Sequence, residues 1–255
     1  MRADRGEIRV VPDANALARA AADLFVEVTT EAVMDREHAY VALSGGTTPR
    51  QMGQLLREPE HRERVPWDCL DLFWGDERWV PESSPESNAG VARRTFLDAV
   101  PVPASAIHPF PTDSEDPAKA AKTYERTLRQ VVGGDGIPRF DLVLLGMGDD
   151  GHTASLFPGT AALHEHEALA LANHVSKFDS WRLTLTVPVI NAARTVAFLI
   201  GGSGKAATLA AVLEGGRQPY QLPSQLIEPV EGRLLWLIDR DAAADLQSAG
   251  NSSGG

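Results

Sequence analysis

The chain has very little cysteine and no long apolar run. Its 255 residues include one cysteine, Cys69, which excludes a disulfide framework and argues against a cysteine-based zinc site. No segment approaches the roughly 20 apolar residues that a membrane-spanning helix needs. The N-terminal sequence MRADRGEIRVVPD lacks the apolar stretch of a signal peptide. We therefore expect a cytoplasmic protein with no membrane partner.

Positive charge is also scarce. Lysine and arginine number 24 against 35 aspartates and glutamates, which gives a net charge of −11. Such a surface repels nucleic acid, so no nucleic-acid partner is expected. An acidic protein that binds an anion has to concentrate its few positive groups in one place, and this requirement serves as a test for the segments below.

What the chain does have is a regular alternation of apolar strand-like segments and amphipathic helical segments. This alternation predicts an α/β fold: a mainly parallel, doubly wound sheet with helices on both faces and room for a small subsidiary lobe. No repeat or linker interrupts it, so residues 1–245 are predicted to form one domain and residues 246–255 a disordered tail. The predicted strands are 8–11, 40–44, 70–74, 107–110, 140–147, 182–187, 195–202 and 234–239. The predicted helices are 13–35, one that follows SGGTTP, one near 88–99, 117–132 and 204–214.

Four predicted strands end in polar or glycine-rich segments. In open α/β sheets, ligands bind beyond the carboxyl ends of the strands, so we expect the functional residues to lie in these segments. They are SGGTTP (44–49), GDERW (75–79), GMGDDGH (146–152) and GGSGK (201–205).

The third segment contains Gly146, Gly148 and Gly151, which spell the G-x-G-x-x-G of a dinucleotide-binding turn. That turn requires a helix of several turns after the third glycine and an acidic residue at a strand end about 20 positions later. Here the dipeptide Pro158-Gly159 stops any helix almost at once. The glycines therefore bring backbone close to a ligand other than a nicotinamide or flavin cofactor.

Two carboxyl groups and an imidazole follow the glycines, at Asp149, Asp150 and His152. A histidine beside a carboxylate can act as a general base at neutral pH. A solvated turn with a surface histidine is the alternative, and these residues alone leave both open. His164 and His166 lack metal-ligand spacing, so no metal is expected.

Two other segments are suited to an anion. SGGTTP combines a hydroxyl, a flexible backbone and the start of a helix, which favours a phosphate; an ordinary strand-to-helix turn explains it equally well. In GGSGK, Lys205 lies at a helix start against the helix dipole, which favours a ligand-facing role. Arg78 in GDERW can clamp an anion with two hydrogen bonds.

Taken in order, five segments resemble the 6-phosphogluconolactonase family: VALSGGTTP, FWGDERWVPESSPESNAG, FDLVLLGMGDDGHTASLFPG, RLTLTVPVINAAR and GGSGKA. The resemblance covers roughly residues 8–240. It implies an α/β fold shared with glucosamine-6-phosphate deaminases and isomerases. It also implies hydrolysis of 6-phospho-D-glucono-1,5-lactone to 6-phosphogluconate, with no organic cofactor and no catalytic metal.

The resemblance also implies roles for individual positions. His152 matches the general base that activates water, with Asp150 orienting or tuning it. Arg182 and Lys205 are the expected phosphate partners, and Gly148 is an expected substrate-binding position. Backbone N–H groups of the glycine turn are candidates for stabilising the oxyanion. The remaining expected substrate-binding positions, of which Asp76 and Asn88 bind hydroxyls or hold loops, are Ser44, Gly45, Gly46, Thr47, Asp76, Arg78 and Asn88.

Two rival functions are weighed against this one. Related deaminases have an HIAFNEPG-like segment whose glutamate precedes the proline, where this chain has Phe157, and they favour MDEY where it has GDER. A non-catalytic sugar-phosphate-binding regulator normally adds a helix-turn-helix, whereas residues 1–40 predict only a strand and one helix. The expected partner is a phosphorylated sugar lactone, and the expected state is a monomer or a small homo-oligomer.

Overall fold

The computed structural model describes residues 5–133 and 136–247. Within these ranges, strands and helices alternate along most of the chain, as the hydropathy pattern predicts. The strands are β1 (Glu7–Val11), β2 (Ala39–Leu43), β3 (Leu70–Trp74), β4 (Asp76–Arg78), β5 (Leu142–Leu145), β6 (Ala170–Val175), β7 (Ser180–Leu185), β8 (Thr195–Ile200) and β9 (Arg233–Asp239).

Three of the described helices begin after a residue whose side chain accepts a backbone N–H: Asp13, Ser87 and Asp116. Asp13, for example, accepts a hydrogen bond from the backbone N–H of Ala16 at 2.9 Å, as an N-cap residue does. None of the helices in the described ranges is long and apolar enough to cross a bilayer. The helices are α1 (Ala14–Arg36), α2 (Thr47–Leu56), α3 (Pro59–Arg62), α4 (Asn88–Thr95), α5 (Pro117–Val131), α6 (Val187–Asn191) and α7 (Ala206–Leu213).

Six strands form one parallel sheet, called here the large sheet, in the order β3-β2-β5-β8-β9-β1. Its central strands are buried on both faces; all six residues of β8 are buried. Since β3 and β5 lie on opposite sides of β2, the direction of winding reverses between β2 and β5. The predicted parallel α/β fold is confirmed, and such a reversal leaves a crevice at the carboxyl ends of the strands.

Three further strands form a small antiparallel sheet in the order β4-β7-β6. Gly75 joins the two sheets, because it follows β3 directly and precedes β4. Its N–H donates to the Leu43 carbonyl at 2.9 Å, and its carbonyl accepts from the N–H of Leu185 at 2.8 Å. The small sheet is therefore fixed next to the carboxyl edge of the large sheet.

The sequence analysis missed two strands of the small sheet. It placed residues 76–78 in a polar loop, yet they form β4, whose register pairs Arg78 with Arg182 of β7. It also predicted no strand at residues 170–175, where β6 (Ala170–Val175) lies. Both strands are short and half exposed, so tertiary pairing decides their conformation more than local preference.

Within the described residues, one predicted strand is not formed and one predicted helix ends early. The strand expected at residues 107–110 is wrong: Ile107 forms only an isolated bridge to Leu72, and Pro109 lacks the N–H needed to extend the pairing. The helix expected near 88–99 ends at Thr95, and residues Leu97–Ala99 form a separate 3₁₀ turn.

The described chain continues slightly past the predicted domain boundary. Leu246 is buried against the core, and the N–H of Gln247 donates to the Glu214 carboxylate at 3.0 Å. Residues 248–255, which make up the rest of the predicted tail, lie outside the described residues.

Candidate active site

A cleft of about 450 Å³ opens at the carboxyl edge of the large sheet. The segments after β2, β5 and β8 form one side, and strands β4 and β7 of the small sheet form the other. Asp150 does not line this cleft but contacts a residue that does. The other predicted site residues all line it: Ser44, Gly45, Gly46, Thr47, Asp76, Arg78, Asn88, Gly148, His152, Arg182 and Lys205.

The segment after β2 presents the start of α2 to the cleft. Gly46 is the N-cap residue and supplies no capping side chain, so the first N–H groups of α2 are available to a bound anion. Gly45 allows a close approach, because a Cβ there would lie 1.9 Å from Oδ1 of Asn88. The Asn88 amide in turn donates to the Asp76 carbonyl at 2.9 Å.

Two arginines lie side by side on neighbouring strands of the small sheet. Arg78 and Arg182 are opposite residues in the β4–β7 register, and the pKa of Arg182 is lowered, first by burial and then by Arg78. Among the described residues, neither arginine forms an ion pair with a carboxylate; Arg78 donates to the Glu86 carbonyl and Arg182 to the Ser180 hydroxyl. Like charges placed opposite each other are unfavourable, and a bound anion would relieve the repulsion.

Lys205 supplies a third cation at the other side of the cleft. Its ammonium forms an ion pair with Asp149, and this contact lowers the pKa of the Asp149 carboxyl. Thr208 holds the same residue by donating to the Asp149 carbonyl at 2.7 Å. Three cations of this acidic chain, Arg78, Arg182 and Lys205, therefore line one cleft, as an anion site in such a chain requires.

The imidazole of His152 is fixed on two sides. Its Nδ1 lies 2.5 Å from Oδ1 of Asp150, and its ring stacks on Phe157 with a centroid separation of 4.0 Å. A Cβ at Gly148 would lie 2.0 Å from Nδ1, so the ring packs on bare backbone. Within the described chain Nε2 has no hydrogen-bond partner, which leaves that atom for water or substrate.

The charge state of Asp150 follows from its contacts. Burial alone raises the pKa of this carboxyl, but hydrogen bonds from His152 and Lys177 outweigh burial and lower it to about 2. Asp150 is therefore ionised at neutral pH. An ionised carboxylate on Nδ1 fixes the tautomer of the ring and stabilises the imidazolium that forms when Nε2 accepts a proton.

Asp76 links the two sides of the cleft. Its Oδ2 accepts a hydrogen bond from the Ser155 hydroxyl at 2.7 Å, and the N–H of Ser155 donates to Thr184 of β7 at 3.3 Å. These contacts tie the segment that carries His152 to the small sheet.

A buried carboxylate that the sequence analysis did not single out organises the loop after β4. Glu77 is 1% exposed and accepts hydrogen bonds from the Ser87 hydroxyl and from the N–H groups of Asn88 and Ala89, at 3.0, 2.7 and 2.8 Å. Burial raises the pKa of Glu77 despite these bonds. It caps α4 and thereby places Asn88 against Gly45.

Replacing Glu77 with alanine should lower the free energy of unfolding by about 2–4 kcal/mol, because several buried donors lose their acceptor. Urea unfolding monitored by tryptophan fluorescence measures the change. Glu115→Ala is the matched control, since Glu115 is exposed and forms no ion pair within the described chain. A loss below about 0.5 kcal/mol for Glu77→Ala would contradict the capping role.

Three further residues at or beside the site were not assigned a role from the sequence. Ser155 and Phe157 lie within the GMGDDGHTASLFPG segment, where Phe157 was noted only as the position at which related deaminases have a glutamate. Lys177 lies in a turn with no recognisable pattern. Lys177 follows β6 directly, and this strand was itself not predicted.

Among the described residues, no cluster of three histidine, cysteine or acidic side chains has the geometry to hold a metal ion. His164, considered above as a ligand, stacks on Tyr220 with a centroid separation of 4.7 Å. No helix follows Gly151 directly; the next helical element is the 3₁₀ turn Ala161–His164, so the long helix that a dinucleotide-binding turn requires is not formed there.

Most of the chain matches a known protein family. Residues 12–236 match the family described as glucosamine-6-phosphate isomerases/6-phosphogluconolactonase. A 6-phosphogluconolactonase of Synechocystis is 43% identical over 86% of this chain and 89% of its own length. One from Mycobacterium tuberculosis is 38% identical over 94% and 98%.

Solved structures agree with the sequence match. The 6-phosphogluconolactonase of Trypanosoma brucei superposes with a TM-score of 0.83 at 28% identity, over 94% of this chain and 98% of that one. A monomeric glucosamine-6-phosphate deaminase shares the fold with a TM-score of 0.80 at 19% identity, over 94% and 99%. The chain belongs to the glucosamine-6-phosphate isomerase/6-phosphogluconolactonase family.

Proposed function

We propose that this protein hydrolyses 6-phospho-D-glucono-1,5-lactone to 6-phosphogluconate, the second step of the oxidative pentose phosphate pathway. The observation that carries the proposal is one cleft that holds both the His152 imidazole, with Nε2 unpartnered among the described residues, and the arginine pair Arg78 and Arg182. Relatives at 38–43% identity are named 6-phosphogluconolactonase, which supports the choice of substrate.

The proposed chemistry begins at Nε2 of His152. The ring takes a proton from water as the water oxygen attacks C1 of the lactone, and Asp150 stabilises the imidazolium. The negative charge then lies on the former carbonyl oxygen, where backbone N–H groups of the glycine turn would stabilise it. The N–H of Gly148 is not one of them in this structure, because it donates to the His152 carbonyl at 2.8 Å, and the N–H of Gly151 donates to the Gly148 carbonyl at 3.0 Å. When the C1–ring oxygen bond breaks, the imidazolium returns its proton to the departing oxygen, which leaves as an alcohol.

The phosphate is assigned to the cationic groups. Arg182 and Lys205 bind it directly, and Arg78 adds charge from the adjacent strand. Lys205 exchanges its contact with Asp149 for the phosphate, so the ion pair keeps the ammonium near its position before substrate arrives. The sugar hydroxyls lie among the remaining cleft residues: Ser44, Gly45, Gly46, Thr47, Asp76 and Asn88.

One contact separates this chemistry from deamination and isomerisation of glucosamine 6-phosphate. Family members with that activity use a glutamate just before the proline, and in this chain Phe157 precedes Pro158. Phe157 stacks on His152 and brings no carboxylate. Within the described residues 5–38, the elements are β1 and α1, which form no helix-turn-helix.

The two activities can be tested side by side on one preparation. Purified protein is given the phosphorylated lactone in one reaction and glucosamine 6-phosphate in another, and 6-phosphogluconate and ammonia are measured. We expect 6-phosphogluconate to form faster than by spontaneous hydrolysis and no ammonia above background. Release of ammonia without accelerated lactone hydrolysis would favour the deaminase.

The pH profile of Asp150→Asn tests the histidine–carboxylate pair. The pKa of Asp150 is about 2, so this group keeps its charge above about pH 4 and does not itself produce an acidic limb there. Removing its charge disfavours the imidazolium, and the acidic limb of kcat/KM should therefore move down by about one pH unit. Stopped assays across pH 4.5–8 measure it; an unmoved limb would contradict the pairing.

A further inference from the structure

A lysine outside the cleft contacts the carboxylate behind the histidine. Lys177 lies in the 3₁₀ turn Ser176–Phe178 that connects β6 to β7, and its Nζ is 3.0 Å from Oδ2 of Asp150. His152 contacts the other carboxylate oxygen, Oδ1. The Asp150 carboxylate is thus shared between an imidazole on one side and an ammonium on the other.

The order of these groups runs from the cleft outward. His152 lines the cleft, whereas neither Asp150 nor Lys177 does. The side chain of Lys177 is 59% exposed to solvent. Lys177 therefore does not line the cleft in this geometry, and its polar contact with the histidine–carboxylate pair is made through Asp150.

The same turn also supports the ring. Phe178 packs its edge against Phe157 with a centroid separation of 5.8 Å, and Phe157 stacks on His152. Adjacent residues of one turn therefore contact both partners of the imidazole: Lys177 holds the carboxylate, and Phe178 holds the aromatic ring.

The charges around the pair define what Lys177 contributes. A lone carboxylate on Nδ1 favours the imidazolium, which is the inactive form of a general base. An ammonium on the second oxygen opposes that preference and also fixes the orientation of the carboxylate. Asp149, the residue before Asp150 in the chain, forms an ion pair with Lys205. The other charged side chains that line the cleft with His152 are Asp76, Arg78 and Arg182.

We infer that Lys177 is a positioning residue that keeps the Asp150–His152 pair in its active charge state near neutral pH. This inference deepens the proposed function and rests on it. It predicts a shift opposite in sign to that of Asp150→Asn, because removing a positive charge favours the imidazolium.

The test compares the pH profile of wild type with that of Lys177→Met. The acidic limb of kcat/KM should move up by about 0.3–0.7 pH unit, and 0.5 M salt should shrink the shift because the lysine is exposed. Lys177→Arg should restore the wild-type limb. Lys119→Met, at an exposed lysine of α5, should leave it unchanged. In an Asp150→Asn background, Lys177→Met should shift the limb less than in wild type.

A second readout does not depend on activity. The ring resonances of His152, assigned by comparison with His152→Gln, are titrated by NMR in wild type and in Lys177→Met. A titration displaced to higher pH in Lys177→Met supports the inference, even if wild type shows no lactonase activity and the proposed function fails. Identical titrations overturn it, and so does a fall in kcat with an unmoved acidic limb, which would mark a structural role.

Discussion

His152→Ala should lose about 100- to 10,000-fold in kcat for hydrolysis of the phosphorylated lactone, the range that general-base assistance contributes. The ring is expected to act on water and not to hold the substrate, so KM should change little. Steady-state kinetics on the lactone gives both constants, and a thermal unfolding scan checks that the fold persists.

The loss should be specific to this histidine. His166→Ala serves as the control, because His166 is exposed and lies outside the cleft. If His152→Ala folds normally and keeps kcat within a factor of about three of wild type, His152 is not the general base. The histidine would then be an ordinary surface residue of a glycine turn.

Arg182→Met should raise KM for the phosphorylated lactone by about 10- to 150-fold, since a charge-assisted hydrogen bond to a phosphate is worth about 1.5–3 kcal/mol. Lys205→Met should behave in the same way. Activity on unphosphorylated gluconolactone, where it is measurable, should hardly change, because the missing bond belongs to the phosphate.

The comparison between the two lactones decides how these cations act. Arg129→Met is the control, since Arg129 lies on an exposed face of α5 and pairs with Glu125 at 3.3 Å. An equal loss on the phosphorylated and unphosphorylated substrates would mean that Arg182 or Lys205 supports the fold or the chemistry instead of the phosphate.

The site was predictable from sequence where its parts are local. Asp150 and His152 are two residues apart, so their contact is a property of one turn. Lys205 and the Ser44–Thr47 segment follow strands of continuous apolar sequence, and parallel strands bring their carboxyl ends to one edge. The apolar strand pattern, together with the position of ligand sites at the carboxyl edge of a parallel sheet, was enough to place these residues at one cleft.

Other parts depend on tertiary register and could not be read from sequence. Arg78 lies opposite Arg182 because β4, a three-residue strand, pairs with β7, which is distant in the sequence. In the sequence, Glu77 is one of three adjacent charged residues in GDERW and nothing distinguishes it from the others. The fold buries it beneath the start of α4. Lys177 carries no motif, and its role depends on where the β6–β7 turn meets Asp150.

The glycine turn contains a motif that by itself suggests the wrong function, the binding of a dinucleotide. Gly146, Gly148 and Gly151 match a dinucleotide fingerprint, yet Gly148 packs against the His152 ring instead of opening a long helix. The residues after the third glycine distinguish the two structures, because Pro158 prevents the long helix that a dinucleotide-binding turn requires.

The most direct test of the central claim is the rate at which the phosphorylated lactone disappears. Glucose-6-phosphate dehydrogenase generates the lactone from glucose 6-phosphate, and its decay is followed with and without this protein at pH 7. The proposed function predicts a decay rate that rises in proportion to protein concentration for wild type and falls back toward the spontaneous rate for His152→Ala. A wild-type rate equal to spontaneous hydrolysis at every protein concentration would contradict it.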